Sequence, residues 1–405
     1  FFASAINIGL SIAAGALTAN AIGGGRELQG REFAFSVSVF AIGLGIVIPL
    51  LMLPNLSFLL GLIGAQGEIA ERAASYLWII LPTTFLSGLS MTTVAVLRAY
   101  GDGARAMYPS LVGAAVNGVL DPIFIFSLSM GLEGAAWATV AARVATTVIA
   151  LWPAFRIYNA FAIPRVGCFV YDLRETVRMA GPAVLATIAT PIGSAIVTRE
   201  MAKYGTDAVA GMAVINRMIP VVFSVVLALS GSIGPIMGQN FGAGRLDRVR
   251  ETFYDGIIFV GLYVLGAAAL LFICRDLIAD MFGATGQTRD LILLFCGPLA
   301  LASFFNGVIF VSNASFNNLG HPGYSTWVNW GRQTLGTLPL AIAGGMLFGA
   351  PGVLIGQAIG GVIFAAVAAW LSMWLITEQR HPLRQLTCRF QLQRRMHEIC
   401  NSCSR

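Results

Sequence analysis

Residues 107–130 read MYPSLVGAAVNGVLDPIFIFSLSM, an apolar run in which Asp121 is the one charged side chain. At about 1.5 Å of rise per residue, such a run crosses the roughly 30 Å hydrocarbon core of a bilayer as a helix. A carboxylate at that depth costs about 2.5–3.5 kcal/mol on insertion scales, so an acid kept there points to use. Asn117 precedes Asp121 by four residues and shares its helical face. Pro122 has no N–H to offer the carbonyl of Gly118, which leaves a third oxygen beside the two polar side chains. The stretch predicts a small oxygen-rich notch within a membrane span. The bland alternative is an Asp-Pro kink, but a kink does not require the acid.

The next run extends the notch. Gly131 and Gly134 mark a tight turn, and the chain returns as residues 135–155. Asp121 and Thr139 then lie at similar depths, about 12–15 Å from the turn, so Thr139 can face the acid. A threonine can equally bond its own helix backbone. Tyr76 falls one turn inside the same membrane face, where its hydroxyl could reach the notch or serve as an interfacial aromatic anchor.

The rest of the composition fits a membrane protein. Of 405 residues, 57% are hydrophobic and 11% charged, against about 25% charged in soluble domains. The net charge of +6 is read as topology rather than nucleic-acid binding. The six cysteines are scattered and imply no disulfide frame. The chain opens on an apolar run at Phe1 with no basic leader, and it reads as a fragment.

Eleven runs are long enough to span: 1–19, 33–53, 73–97, 107–130, 135–155, 179–197, 208–237, 257–274, 291–314, 324–348 and 353–376. Residues 56–64 are too short and are expected at the interface. A shift of 219 places Leu10, Ser11, Gly15, Gly23, Gly25, Arg26, Arg31 and Glu32 on Leu229, Ser230, Gly234, Gly242, Gly244, Arg245, Arg250 and Glu251, and Gly101 on Gly320. After a one-residue slip, Gly131, Gly134 and Trp152 fall on Gly349, Gly352 and Trp370. The fold expected is all-α and polytopic, with two pseudo-symmetric six-helix bundles in a twelve-span parent, the first helix being absent here. The expected domains are an N-terminal bundle (1–156), a cytoplasmic connection (157–178), a C-terminal bundle (179–376) and a basic cytoplasmic tail (377–405).

Six spans per half make the repeats parallel. One face carries Arg26, Arg31, Arg98, Arg105, Arg156, Arg165, Arg174, Arg178, Arg245, Arg248 and Arg250, with more in the tail. The other carries only Arg72, Arg199, Lys203, Arg275 and Arg289. The first face is cytoplasmic by the positive-inside rule, and the Gly131 turn is external. The images of Asn117, Asp121 and Thr139 are Gly336, Leu340 and Gln357, so the acid belongs to one half only.

Other candidates are weaker. Gly23–Arg26 and Gly242–Arg245 lack the strand and the Lys-Ser/Thr of a phosphate loop and read as helix caps with basic anchors. Arg143, Arg217 and Arg332 lie within spans. Each could grip an anionic substrate; Arg217 and Arg332 could instead snorkel, whereas Arg143 wants a partner that the sequence does not name. Asn306, Asn313, Asn317 and Asn318 form a polar stripe that lines a cavity or bonds between helices. Arg217, Asn306 and Arg332 are the substrate-cavity candidates. Cys400 and Cys403, with Cys388 and His397, have a spacing that could hold zinc in the tail, although a short basic terminus is a poor site. No hydrolytic constellation is visible among three histidines, so an enzyme is not expected.

The repeat, the paired segments ending Gly23-Gly24-Gly25-Arg26 and Gly238-Gln239-Asn240-Phe241-Gly242-Ala243-Gly244-Arg245, and Asn117-x-x-x-Asp121-Pro122 together resemble the multidrug and toxic compound extrusion (MATE) family, in its DinF-like branch. The resemblance implies a monomeric secondary antiporter in the inner membrane with its C-terminus in the cytoplasm. It would export amphipathic, often cationic, organic compounds in exchange for Na+ or H+, without a cofactor or nucleic acid. It places ion coupling on Asp121, Asn117, Thr139 and Tyr76, with no metal beyond Na+ at Asp121. The branch's second key aspartate lies on a first helix that this chain lacks, and the C-terminal acids of NorM-type members are also absent. A flippase for a lipid-linked saccharide is the rival reading, resting on Arg143, Arg217 and Arg332.

Overall fold

The computed structural model describes residues 2–62, 64 and 66–378. Every element among them is helical. The chain divides into two compact units between Gly181 and Pro182. The first contains α1 (Phe2–Gly23), α2 (Glu27–Met52), α3 (Leu56–Leu62), α4 (Gly67–Ile80), α5 (Thr84–Ala99), α6 (Gly103–Pro122) and α7 (Gly131–Arg156), and it ends within α8 (Val166–Ala202). Of residues 157–178, those from Val166 on are already part of α8. The second unit continues with α9 (Thr206–Val222), α10 (Ser224–Gly242), α11 (Leu246–Met281), α12 (Gly286–Cys296), α13 (Ser303–Asn318), α14 (Pro322–Gly331) and α15 (Leu338–Glu378).

The sequence repeat is a backbone repeat. Shifting α5 by 219 gives the bounds of α13, and the starts of α2 and α4 map onto those of α11 and α12. Left-handed glycines recur at matching places: Gly25 with Gly244, Gly101 with Gly320, and Gly131 with Gly349. A Cβ is disfavoured at such φ values, so the shared turns explain why glycine persists where most other positions have diverged.

Nine helices or helix runs are long and apolar enough to span, and the bent pair α9–α10 makes ten. The last of the nine, Pro322–Glu378, has 57 residues. At 1.5 Å per residue it would be about 85 Å long, far more than a bilayer. Gly349, at φ 66° and ψ −147°, folds it back on itself. A Cβ on Gly356 would strike the Leu340 carbonyl and one on Gly344 the Gly352 carbonyl, so the two arms meet backbone to backbone. Splitting the run there gives eleven spans among the described residues.

Three boundaries differ from the sequence reading. Residues 56–61 are not detached from the preceding helix; they continue α2 through a 3₁₀ turn at Leu53–Asn55, with Leu56 and Leu60 buried. The run 291–314 is broken at Gly297 (φ −91°, ψ −118°), ahead of Pro298. The run 208–237 bends by 45° after Val222, whose carbonyl accepts from Tyr263 Oη at 2.7 Å. That hydroxyl satisfies a backbone oxygen at the break, where hydrocarbon offers no alternative donor.

Small residues fill the interior of the first unit: Ala13, Ala14 and Ala16 of α1 pack with Ala34, Val37 and Ala41 of α2 and Val96 and Leu97 of α5. Large side chains such as Leu262, Leu265, Phe272 and Ile273 of α11 stay exposed. Small residues at helix contacts let backbones approach closely in lipid, whereas the interior of the second unit also holds large side chains such as Phe253 and Phe316.

Candidate ion-coupling site

The site is built on the α6–α7 pair. Close approach is set by glycines: a Cβ on Gly113 would collide with Thr146 Oγ1, and one on Gly134 would lie 2.7 Å from the Phe124 carbonyl. Reading the antiparallel register between these two crossings puts Asp121 level with Trp137–Ala138 and Asn117 level with Ala141–Ala142. Thr139 therefore lies axially between them. At 100° per residue, Gly134, Ala142 and Thr146 mark the α6-facing side of α7. Thr139 falls between that side and the one carrying Arg143 and Thr147, at the edge of the α6 contact.

Asp121 and Asn117 are both half-buried. Asn117 Nδ2 approaches Asp121 Oδ1 at 3.4 Å, long for a hydrogen bond. Among the described residues no Arg or Lys forms an ion pair with Asp121, and its only hydrogen bond is the one from Asn117. Immediately after Pro122 the helix widens into a π turn over Ile123–Ser127, closed by Leu128 N–H donating to the Ile123 carbonyl at 2.9 Å. π turns are rare and frequent at functional sites, because they leave a helix able to repack.

Of the other two sequence candidates, Thr139 lies on α7 and Tyr76 on α4. Thr139 Oγ1 donates to the Ala135 carbonyl of its own helix at 2.9 Å, leaving its oxygen lone pairs as its remaining polar capacity. Tyr76 is half-buried on α4.

Arg143 finds the partner that the sequence did not name. Its Nη1 donates to the Ile80 carbonyl at 2.8 Å and to Thr83 Oγ1 at 2.7 Å. Pro82 lies in the 3₁₀ turn Leu81–Thr83, where Thr84 N–H turns to the Leu81 carbonyl, so the Ile80 carbonyl is open to side-chain donors. One turn on, Thr147 Oγ1 reaches the Leu86 carbonyl at 3.2 Å. The polar face of α7 thus ties the α4–α5 break to the helix that carries Thr139.

In the second unit, Arg217 is exposed, and Asn306 and Arg332 are part-buried. Asn313 Oδ1 accepts from Asn329 Nδ2 at 3.2 Å, which accounts for part of the asparagine stripe as an interhelical bond. Arg332 Nε is sealed from solvent and has no hydrogen-bond partner among the described residues. The tail cysteines Cys388, Cys400 and Cys403 and His397 lie outside the described residues.

At the start of α6, Asp102 caps the helix by accepting from Arg105 N–H at 2.9 Å, and it also accepts from Tyr158 Oη at 2.7 Å. These bonds hold its carboxyl below the usual range despite some desolvation, and they fasten the α5–α6 turn to the end of α7.

An all-helical membrane protein with a repeated backbone and one acid held in a span has the build of a secondary transporter. The chain belongs to the MatE family, whose profile matches residues 1–123 and 182–343. It is similar to a FAD transporter from Shewanella oneidensis, 26% identical over 286 residues, which are 68% of this chain and 62% of that protein. It is also similar to the multidrug export protein MepA of Staphylococcus haemolyticus, 23% identical over 368 residues, which are 89% of this chain and 79% of that one. Among solved structures, the MATE transporter VcmN of Vibrio cholerae superposes with a TM-score of 0.86 at 25% identity, covering 94% of this chain and 86% of that chain. The chain spans less than two thirds of the length of the FAD transporter. These relatives are named as transporters and exporters, not enzymes.

Proposed function

We propose that this protein is an ion-coupled exporter of small organic molecules in which Asp121 takes up and releases the coupling cation. The observation that carries the reading is a half-buried carboxylate at membrane depth with an amide beside it and no fixed cation paired to it among the described residues. A proton or Na+ can supply the missing positive charge, with Asn117 and Thr139 adding neutral oxygens at the same level. Tyr76, half-buried on α4, is the fourth residue proposed to serve this coupling site.

Occupancy removes the cost of the charge and lets the π turn after Pro122 adopt a tighter packing, which biases the bundle between two states. The substrate class follows the relatives, one named for multidrug export and one for FAD. The arginine distribution supports a C-terminus in the cytoplasm; the inner-membrane location and the monomeric state follow the family resemblance alone. The saccharide-flippase alternative loses one of its three supports, since Arg143 is consumed by the α4–α5 break.

The test is dye efflux in proteoliposomes under imposed Na+ or H+ gradients. Asp121→Asn is expected to reduce gradient-driven efflux at least tenfold while the protein reaches the membrane normally. Efflux at the unsubstituted rate would remove Asp121 from the mechanism.

A further inference from the structure

Asn329 of α14 and Asn313 of α13 fix how these two helices face each other. On α14, Ser325, Asn329 and Arg332 fall at i, i+4 and i+7, one face of the helix; on α13, Asn306, Asn313 and Asn317 do the same at i, i+7 and i+11. Continuing the antiparallel pairing from Asn313–Asn329 sets Arg332 opposite Phe310, one turn from Asn306. Arg332 closes the ten residues of α14, so it lies about 15 Å beyond Pro322, near half the thickness of the hydrocarbon core.

This guanidinium has no counter-charge among the described residues. It takes part in no ion pair or hydrogen bond among the described residues, and no charged group acts on it. Its Nε is enclosed, whereas its terminal nitrogens are not among the sealed atoms. The Asn306 carboxamide is also part-exposed and makes no hydrogen bond among the described residues. Arg332 begins a second π turn, Arg332–Thr337, and the Thr337 hydroxyl inside it is buried without a partner. Arg143 shows that this protein can satisfy a membrane arginine internally, with a carbonyl and a hydroxyl. Nothing comparable is supplied to Arg332.

We propose that Arg332 and Asn306 form an oxyanion-binding subsite in the second unit, which receives the carboxylate or phosphate of an organic anion during transport. The proposal rests on the exporter reading and names a substrate class for it. A planar guanidinium with a neighbouring amide donor offers a fork suited to two oxygens of one anion. The facing stripes of α13 and α14 carry no carboxylate that would compete for the guanidinium. A cationic substrate would meet only repulsion here, so the subsite discriminates by charge.

The experiment is equilibrium binding to the purified protein in nanodiscs of zwitterionic lipid, using carboxyfluorescein as the anionic probe and ethidium as the cationic one. Arg332→Gln is expected to lower the carboxyfluorescein-to-ethidium affinity ratio at least tenfold, with Arg332→Lys intermediate and Asn306→Leu lowering it severalfold. A general packing role would move both dyes together and leave the ratio unchanged; that result overturns the subsite. Binding of ethidium but not carboxyfluorescein to the unsubstituted protein overturns it too, while leaving the exporter reading intact. Repeating the titration with phosphatidylglycerol in the nanodisc separates the two sources of oxyanion. Undiminished carboxyfluorescein binding supports a substrate site, and competition by the lipid overturns the substrate assignment in favour of a headgroup. Loss of gradient-driven efflux of both dyes from the unsubstituted protein would instead defeat the exporter reading.

Discussion

The guanidinium of Arg143 is stabilised by a broken helix rather than by an acid. A carbonyl and a hydroxyl at 2.7–2.8 Å replace part of the water it lost. Asp172 presents the complementary case outside the span, in the part of α8 before the apolar run that starts at residue 179. It is 3% exposed and accepts from Ser36 Oγ at 2.8 Å. Burial pushes its carboxyl up to about 7, outweighing the Ser36 hydrogen bond, with Glu32 adding to the rise. The folded value exceeds the unfolded 3.8, so the folded state holds the proton more tightly. This contribution to stability is therefore full below about pH 4 and is lost as pH rises through about 7. The difference corresponds to about 4 kcal/mol at most. Asp172→Asn, which never ionises, is expected to raise the thermal midpoint at pH 8 by several degrees and to leave it nearly unchanged at pH 4. Tryptophan fluorescence melts across that range provide the check, and a gain equal at every pH would show that the carboxyl does not titrate as described.

At the scale of elements, the α6–α7 pair decides whether the acid and Thr139 share a level. The Gly134 approach leaves no room for a side chain, since the obstructing atoms belong to the Phe124 backbone. Gly134→Val should part the helices, lower the melting temperature and reduce efflux severalfold. Gly118→Ala, three residues before the acid, meets nothing within 4 Å and should leave both measurements near those of the unsubstituted protein. Equal damage from the two would mean that the crossing is not what holds the site. The crossing was legible in the sequence because the Gly131 turn fixes antiparallel depth. The bonding was not. Thr139 has two options of similar strength, its own Ala135 carbonyl or the acid, and spacing cannot choose between them. Arg143 needed a carbonyl that becomes available only because the turn around Pro82 closes as a 3₁₀ turn. The break at Gly297 was hidden for a similar reason: its neighbours are apolar on both sides, so hydropathy runs through it.

At the scale of the whole molecule, the repeat constrains topology more tightly than either half alone. Because six spans separate the matching glycine turns at Gly25 and Gly244, an even number, the two turns should lie on the same side of the membrane, as parallel repeats require. The turns at Gly131 and Gly349 should lie on the opposite side, since each is separated from the Gly25 or Gly244 turn of its own half by an odd number of spans. The arginine count names the first pair cytoplasmic, although it draws mainly on loops of the first half. Single cysteines placed at Gly24, Ser129, Ala243 and Phe348, all exposed, on a background with the native cysteines replaced, test both statements at once. A membrane-impermeant maleimide applied to intact cells should label Ser129→Cys and Phe348→Cys directly, and Gly24→Cys and Ala243→Cys only after permeabilisation. Opposite labelling of Gly24→Cys and Ala243→Cys would make the repeats inverted, and the shared backbone could not then place both units in the membrane with the same orientation. Reversal of all four would keep the repeats parallel and turn the notch at Asp121 toward the cytoplasm, so that the coupling cation would enter from the side on which the proposed exporter must release it.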